Sequence, residues 1–198
     1  MKDLHVKDVM IPLNEYALVP MNANLREALI TLKASHKKTP PGKHPHRAVL
    51  VTNSKGLIVG KLGMAGFLRA LEPKYGNVGD IERLSRAGVS AEFLDAMMDD
   101  LGFWKEDVKR ICNRANSIII KDVMSPIEES IQENASLTEA MHKMIMWQVL
   151  SMLVTSEKEV VGILRLSDLF SEVADYITSD QCGYEAGYYE KGDEENDK

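Results

Sequence analysis

Leu25, Ala28, Leu29 and Leu32 recur with a helical period of about 3.6 residues. Asn24-Leu25-Arg26-Glu27 precedes them as a capping box, in which a side-chain oxygen and a carboxylate satisfy the free amides of a helix start. The apolar run Arg47–Thr52 then reads as a buried strand, Ser54-Lys55-Gly56 as a turn, Leu57–Leu62 as a second strand and Met64–Leu71 as a closing helix. The same order returns later in the chain. Ser136-Leu137-Thr138-Glu139 opens a helix with Leu137, Met141, Met144 and Ile145 on one side, and Val149–Thr155 and Val160–Leu164 read as strands around Ser156-Glu157-Lys158-Glu159. Ser167–Ile177 closes this second series, with Ser167 as the cap, and a strand holding Ile131 precedes its first helix. Each series is strand, helix, strand, strand, helix, a compact α/β (α+β) unit.

Between the two series, residues 72–118 carry helical patterns of a different kind. Gly79–Ala87 predicts a short helix, Ser90 caps Ala91–Leu101 ahead of Gly102, and Lys105–Ala115 predicts a third. Phe93, Leu94, Met97 and Met98 give the middle helix an apolar side, as Val108, Ile111 and Cys112 give the last. Two readings fit this insertion: a spacer packed on the domain, or a hairpin that binds a partner.

The two series are copies. Val6-Lys7-Asp8-Val9-Met10-Ile11-Pro12 returns as Ile120-Lys121-Asp122-Val123-Met124-Ser125-Pro126, and Asn22–Ala28 answers Asn134–Ala140. Leu50-Val51-Thr52 answers Leu153-Val154-Thr155, and Val59-Gly60-Lys61-Leu62 answers Val161-Gly162-Ile163-Leu164. The offset falls from 114 residues at the heptads to 112, 103 and 102 at the later blocks. The first copy therefore holds extra residues around Thr39–Arg47. A copy of some 60 residues has a marginal core alone, so the expected arrangement is one domain of two repeats, residues 1–71 and 119–178, packed with pseudo-two-fold symmetry. The cleft between packed copies is the first place to look for function.

Composition changes this picture in three places. The 198 residues are 44% hydrophobic and 27% charged, as in a soluble globular protein, and no apolar run reaches the roughly 20 residues of a membrane span. The start, Met-Lys-Asp-Leu-His-Val-Lys-Asp, has no signal-peptide core. With Cys112 and Cys182 in unrelated contexts, the expected location is the cytoplasm. The net charge of −6 lies mostly in residues 180–198, where seven acids face Lys191 and Lys198. That segment, within a tail spanning 179–198, reads as acidic and disordered. No basic helix or basic stripe with interleaved aromatics points to nucleic acid.

The repeated residues resemble a pair of cystathionine-beta-synthase (CBS) domains: Lys-Asp-Val-Met-x-Pro, a helix, a strand ending in Val-Thr, and a Val-Gly-x-Leu strand before a helix. The resemblance covers residues 1–71 and 118–178 and looks like a stand-alone tandem, called a Bateman module. It implies two packed repeats, an adenosine nucleotide in the cleft between them, a regulatory rather than catalytic role, and a homodimer. In nucleotide-binding relatives the strand glycine is followed by a Thr or Ser and, three residues on, an Asp that accepts the ribose hydroxyls. Here Gly162-Ile163-Leu164-Arg165-Leu166-Ser167-Asp168 puts Asp168 at the ribose position and Arg165 at the hydroxyl position. Gly60-Lys61-Leu62-Gly63-Met64-Ala65-Gly66 puts glycine at both, so at most one working site per chain is expected.

Each candidate also has a plainer reading. Asp168 in the first turn of a helix is favourable against the helix dipole with no ligand at all. Arg165 reads either as a solvated strand-end charge or as a phosphate partner. The insertion from His36 to Arg47 carries Lys37, Lys38, Lys43 and the histidines 36, 44 and 46 with no acid, either a mobile basic loop or a phosphate contact. His46 and Arg47 directly precede the strand, where nucleotide-sensing relatives such as the regulatory subunit of AMP-activated protein kinase hold basic residues, and a guanidinium fork suits phosphate. Three histidines without nearby carboxylates or cysteines make a poor metal site.

The expected function is a cytoplasmic sensor of AMP, ADP or ATP, with S-adenosylmethionine remaining possible because it shares the adenosine half. Adenine would sit between Ile131 and Ile163, ribose at Asp168 beside Ser167, and phosphates at Arg47, His46 or Arg165. Its output would be conformational, acting on an unidentified regulated protein. The alternative is a ligand-free interaction module working through the inserted helices. No catalytic cofactor, no metal, no membrane and no catalytic residues are expected: no Ser-His-Asp order, phosphate-cradling glycine loop, HExxH or paired catalytic carboxylates appears.

Overall fold

Three short strands, the middle one with Val49, Leu50 and Val51 all buried, build the first sheet. The computed structural model describes residues 4–39, 44–78, 88–127 and 129–179, which fall into two compact units. The first unit lies within Ile11–Ser130. Its strands β1 (Leu18–Pro20), β2 (Ala48–Thr52) and β3 (Ile58–Gly63) lie side by side in that order. β1 runs parallel to β2, with Val19 opposite Val51, and β2 runs antiparallel to β3, with Val49 opposite Leu62. A parallel pair needs a long crossover, and α1 (Leu25–Lys38) supplies it. Its capping box forms as expected: Asn24 Oδ1 accepts from the Glu27 amide at 2.9 Å, and Glu27 Oε2 accepts from the Asn24 amide at 2.8 Å. Gly56, at φ +78°, makes the turn between β2 and β3, and α2 (Met64–Leu71) follows β3 directly. Ala17, Val19, Leu25, Ala28, Leu32, Val49, Val51, Leu62 and Phe67 form the core.

Two inserted helices belong to this unit. α3 (Ala91–Leu101) is capped by Ser90 and ends at Gly102, at φ +59°, and α4 (Val108–Ser117) is capped by Asp107. α4 begins later than the expected Lys105, because Trp104 takes φ +57° and Asp107 Oδ1 then accepts from the Lys109 amide at 3.1 Å. Glu72, 1% exposed, anchors the turn between the helices by accepting from the Trp104 amide at 2.7 Å. Arg114 of α4 donates to the Leu71 carbonyl and, at 2.5 Å, to Glu106. The turn and α4 are thus packed on the unit, while α3 buries none of its residues. The expected helix Gly79–Ala87 lies outside the described residues.

The second unit takes residues within Met1–Met10 and Ile131–Lys198. Here β6 (Glu159–Arg165), β5 (Ser151–Ser156) and β4 (Ser130–Gln132) lie in that order, with α5 (Leu137–Trp147) after β4 and α6 (Leu166–Thr178) after β6. Ser136 Oγ caps α5 by accepting from the Glu139 amide at 3.1 Å, and the Glu139 carboxylate pairs with Lys143 at 2.7 Å. α6 starts one residue earlier than expected. Arg165 holds the cap position with extended backbone, and Ser167 lies inside the first turn. The acidic tail from Asp180 onward lies outside the described residues.

The units cut across the sequence repeats 1–71 and 119–178, because each heptad completes the unit of the other copy. Ile120 is fully buried in the first core and Val6 in the second. The backbone repeats the exchange bond for bond. Ile120 and Lys121 donate to the carbonyls of Ala23 and Met21 at 2.9 and 3.1 Å, and Val6 and Lys7 donate to those of Ala135 and Glu133 at 3.0 and 2.9 Å. A Cβ on Gly60 would lie 2.7 Å from Met124 Sδ and 2.9 Å from the Ser125 carbonyl, so this strand glycine is where the exchanged heptad lies against β3. Among the described residues, no helix is long and apolar enough to cross a membrane.

Candidate functional site

The chemistry gathers where β6 turns into α6. Gly162, Ile163, Leu164 and Arg165 are all buried, the last at 6% exposure. Successive strand residues face opposite sides: Leu164 enters the core, while Ile163, 1% exposed, and its cross-strand partner Leu153 are buried outside that core cluster. The first turn of α6 carries Asp168 back toward the strand end. Arg165 Nε donates to Asp168 Oδ2 and Nη2 donates to Oδ1, each at 2.5 Å. The two side chains are 7% and 12% exposed, so the pair is a buried, two-pronged ion pair three residues apart.

This geometry corrects one expectation and narrows another. Arg165 is not a solvated strand-end charge, because its guanidinium is buried and donates twice to the Asp168 carboxylate. Asp168 is in the first turn of a helix, where the dipole favours a negative charge, and both of its oxygens are held by Arg165. Ser167 is half-buried, and its carbonyl accepts from Ser171 Oγ at 3.1 Å within the helix. Ile131, 2% exposed, is a member of the second unit's apolar core. A role as an adenine wall would take Ile131 out of that packing; Ile163 carries no such conflict.

The remaining two candidates, His46 and Arg47, belong to the first unit. They face different surroundings although they are neighbours in sequence. The His46 ring is buried and stacked on Tyr16, with centroids 4.2 Å apart and planes 16° from parallel. Its carbonyl accepts from His36 Nε2 at 2.6 Å, which ties the last turn of α1 to the entrance of β2 and fixes the His36 proton on that nitrogen. Arg47 is exposed, and its carbonyl accepts from the Met64 amide at the start of α2 at 3.1 Å. Lys43 lies outside the described residues. Among the described residues, no group of three His, Cys, Asp or Glu side chains gathers as a metal site.

The matching turn of the first copy carries none of this chemistry. Gly63 caps α2 and Gly66 sits within it, with a Cβ position only 2.8 Å from the end of the buried Leu62 side chain. The features that pattern reading missed are the mutual grip of Arg165 and Asp168, the Tyr16–His46 stack and the buried Glu72 anchor. Only the first had a signal: opposite charges at i and i+3 across a helix start are neighbours.

Residues 120–175 match the family model of the CBS domain. No curated protein matches the sequence. Among solved structures, the CBS domain of a CBS domain-containing membrane protein from Sphaerobacter thermophilus is 17% identical, with 86% of this chain and 88% of that chain covered and a TM-score of 0.57. The CBS domain of a bacterial CNNM/CorC family Mg2+ transporter, solved in complex with ATP, is 15% identical, with coverage of 87% and 89% and a TM-score of 0.54. CBSX2, solved in complex with AMP, is 14% identical, with coverage of 86% and 96% and a TM-score of 0.51.

Proposed function

We propose that this chain, which carries a CBS domain at residues 120–175 and has the fold of the CBS-domain proteins, is a regulatory module that binds an adenosine nucleotide. The observation that carries this reading is the buried Arg165–Asp168 pair at the turn after the strand glycine of the second copy. Buried ionic groups are costly to keep, and this one presents a carboxylate suited to ribose hydroxyls beside a guanidinium suited to phosphate. Two structures of the same fold hold AMP and ATP, which supports a nucleotide as the ligand class. Ile163 would face the base. His46, stacked under Tyr16, would act by holding the start of β2. AMP, ADP and ATP are equally compatible with these groups.

The protein performs no chemistry in this reading. A bound ligand acts only through unequal affinity for two states of the chain, and a regulated partner in the cytoplasm reads the difference. Self-association into a homodimer is part of the proposal. Native mass spectrometry of freshly purified protein tests both parts: the expected result is a dimer retaining an adenosine nucleotide. A monomer with no mass added after incubation with AMP, ADP or ATP contradicts the proposal.

A second reading has its own observation. α3 leaves Phe93, Leu94 and Met98 about half exposed, as an interaction module working through the inserted helices would. That reading predicts no nucleotide binding and no effect of nucleotides on thermal stability.

A further inference from the structure

Helices shorter than about 12–15 residues are marginal alone in water. α3 has 11 residues and buries none of them. Phe93, Leu94, Met98 and Leu101 lie on it about half exposed, and the apolar exposure continues through Trp104 to Val108, 70% exposed at the start of α4. The turn between the helices is tied to the unit, by Glu72 at the Trp104 amide and by Lys74 at the Gly102 carbonyl, yet α3 itself gains no buried position.

Charge identifies what covers it. α3 carries Glu92, Asp95, Asp99 and Asp100 and no base, whereas α4 carries Lys109, Arg110 and Arg114 and no acid. Arg114 is engaged by Glu106 and the Leu71 carbonyl, while Lys109 and Arg110 are exposed. Four of these charges have the wrong sign for their own helices. Asp99 and Asp100 lie in the last turn of α3, and Lys109 and Arg110 in the first turn of α4, where the helix dipoles disfavour them. Asp99 reaches Lys105 at 3.9 Å in an exposed pair, a geometry that adds little. Among the described residues, no ion pair engages Asp95, Asp100, Lys109 or Arg110. The acidic residues 180–198 share the sign of α3 and are repelled by it.

We propose that the inserted helix pair is a self-association surface, in which α3 of one chain packs antiparallel on α4 of a second copy. A two-fold axis makes the contact reciprocal, so each chain offers an acidic helix and receives a basic one. The antiparallel direction brings the end of α3 to the start of the opposite α4. Asp99 and Asp100 then meet the partner subunit's Lys109 and Arg110, and opposite dipole ends meet as well. The apolar side chains of α3 supply the affinity, since exposed ion pairs add little, and the charges set orientation and partner. This inference rests on the self-association in the proposed function and gives it a surface; the exposed face of α3 then calls for no other protein.

The test is sedimentation equilibrium of two charge-reversed full chains. Lys109→Glu/Arg110→Glu leaves both helices acidic, and Asp95→Lys/Asp99→Lys/Asp100→Lys leaves both basic. All five positions are exposed, and all but Asp95 gain the sign that their helix dipole favours, so both chains should fold. The wild type should be a dimer. Each variant alone should self-associate at least about tenfold more weakly, and an equimolar mixture of the two should form a 1:1 heterodimer. Leu94→Gln/Met98→Gln, with no charge changed, should weaken the dimer by a similar factor. If the variants dimerise as the wild type does, or the mixture gives no heterodimer, the α3–α4 contact is overturned, while a homodimer through another face and the nucleotide reading stand. A wild-type monomer that still binds AMP overturns the contact and the homodimer together and leaves the nucleotide reading intact.

Discussion

Residues 63–66 and 165–168 occupy the same place in two copies of one sequence and hold opposite contents. Each follows the strand containing the shared glycine, Gly60 or Gly162, and each opens a helix. The second holds a guanidinium and a carboxylate locked together away from water; the first holds two glycines and a leucine end filling the space. What the copies share is what folding requires of both: the heptad that completes the opposite unit, the capped helix and the paired strands. What they do not share is the costly part, since a buried ion pair adds little net stability over an apolar replacement. Under the proposed function, this pair is what the second copy adds to the shared scaffold.

The comparison can be broken at the pair itself. Asp168→Ala leaves the Arg165 guanidinium buried without its carboxylate, and should lower unfolding free energy by about 3–5 kcal/mol in chemical denaturation. The double variant Arg165→Ala/Asp168→Ala should be more stable than Asp168→Ala, because it no longer buries a guanidinium that has lost its carboxylate. A double variant that simply adds the two losses would show the pair to be uncoupled.

A slightly smaller loss tests the shared scaffold. Ile120→Ala removes a fully buried side chain from the core of the first unit and should cost about 2–5 kcal/mol, although Ile120 belongs by sequence to the second copy. If hydrogen exchange after this change accelerated only in residues 131–178, the exchange of heptads between units would be refuted.

The two glycines of the first copy should respond unequally. Gly60→Ala drives a Cβ against the Ser125 backbone and should cost about 1–3 kcal/mol. Gly66→Ala meets only the movable end of Leu62 and gains helix propensity of up to about 1 kcal/mol, so the net change should stay within about 1 kcal/mol of zero. Thermal melts of the two variants decide this, and equal losses would mean that Gly66 too is required for packing.

Much of the fold was readable because amphipathic period and capping residues act locally. Asn24 with Glu27 and Ser136 ahead of Glu139 set helix starts that the structure keeps. Repeat similarity marks which segments are equivalent, not which are neighbours, so nothing in the heptads announced that Val6 and Ile120 pack in each other's units. The site was legible in residue type and position but not in state. The resemblance to the family motif pointed to Arg165 and Asp168, yet whether a strand-end arginine points to water or folds back depends on burial that a linear pattern does not contain. Tyr16 and His46 lie too far apart in sequence for any local signal to pair them, and nothing local marks Glu72 as the acceptor of the distant Trp104 amide.

The asymmetry between the turns is tested most directly by the stoichiometry of nucleotide binding. Titrating AMP, ADP and ATP into the wild-type chain by calorimetry should give one site per chain, occupied through the Arg165–Asp168 turn of the second copy. Two equivalent sites per chain, or no heat with any of the three, would contradict it.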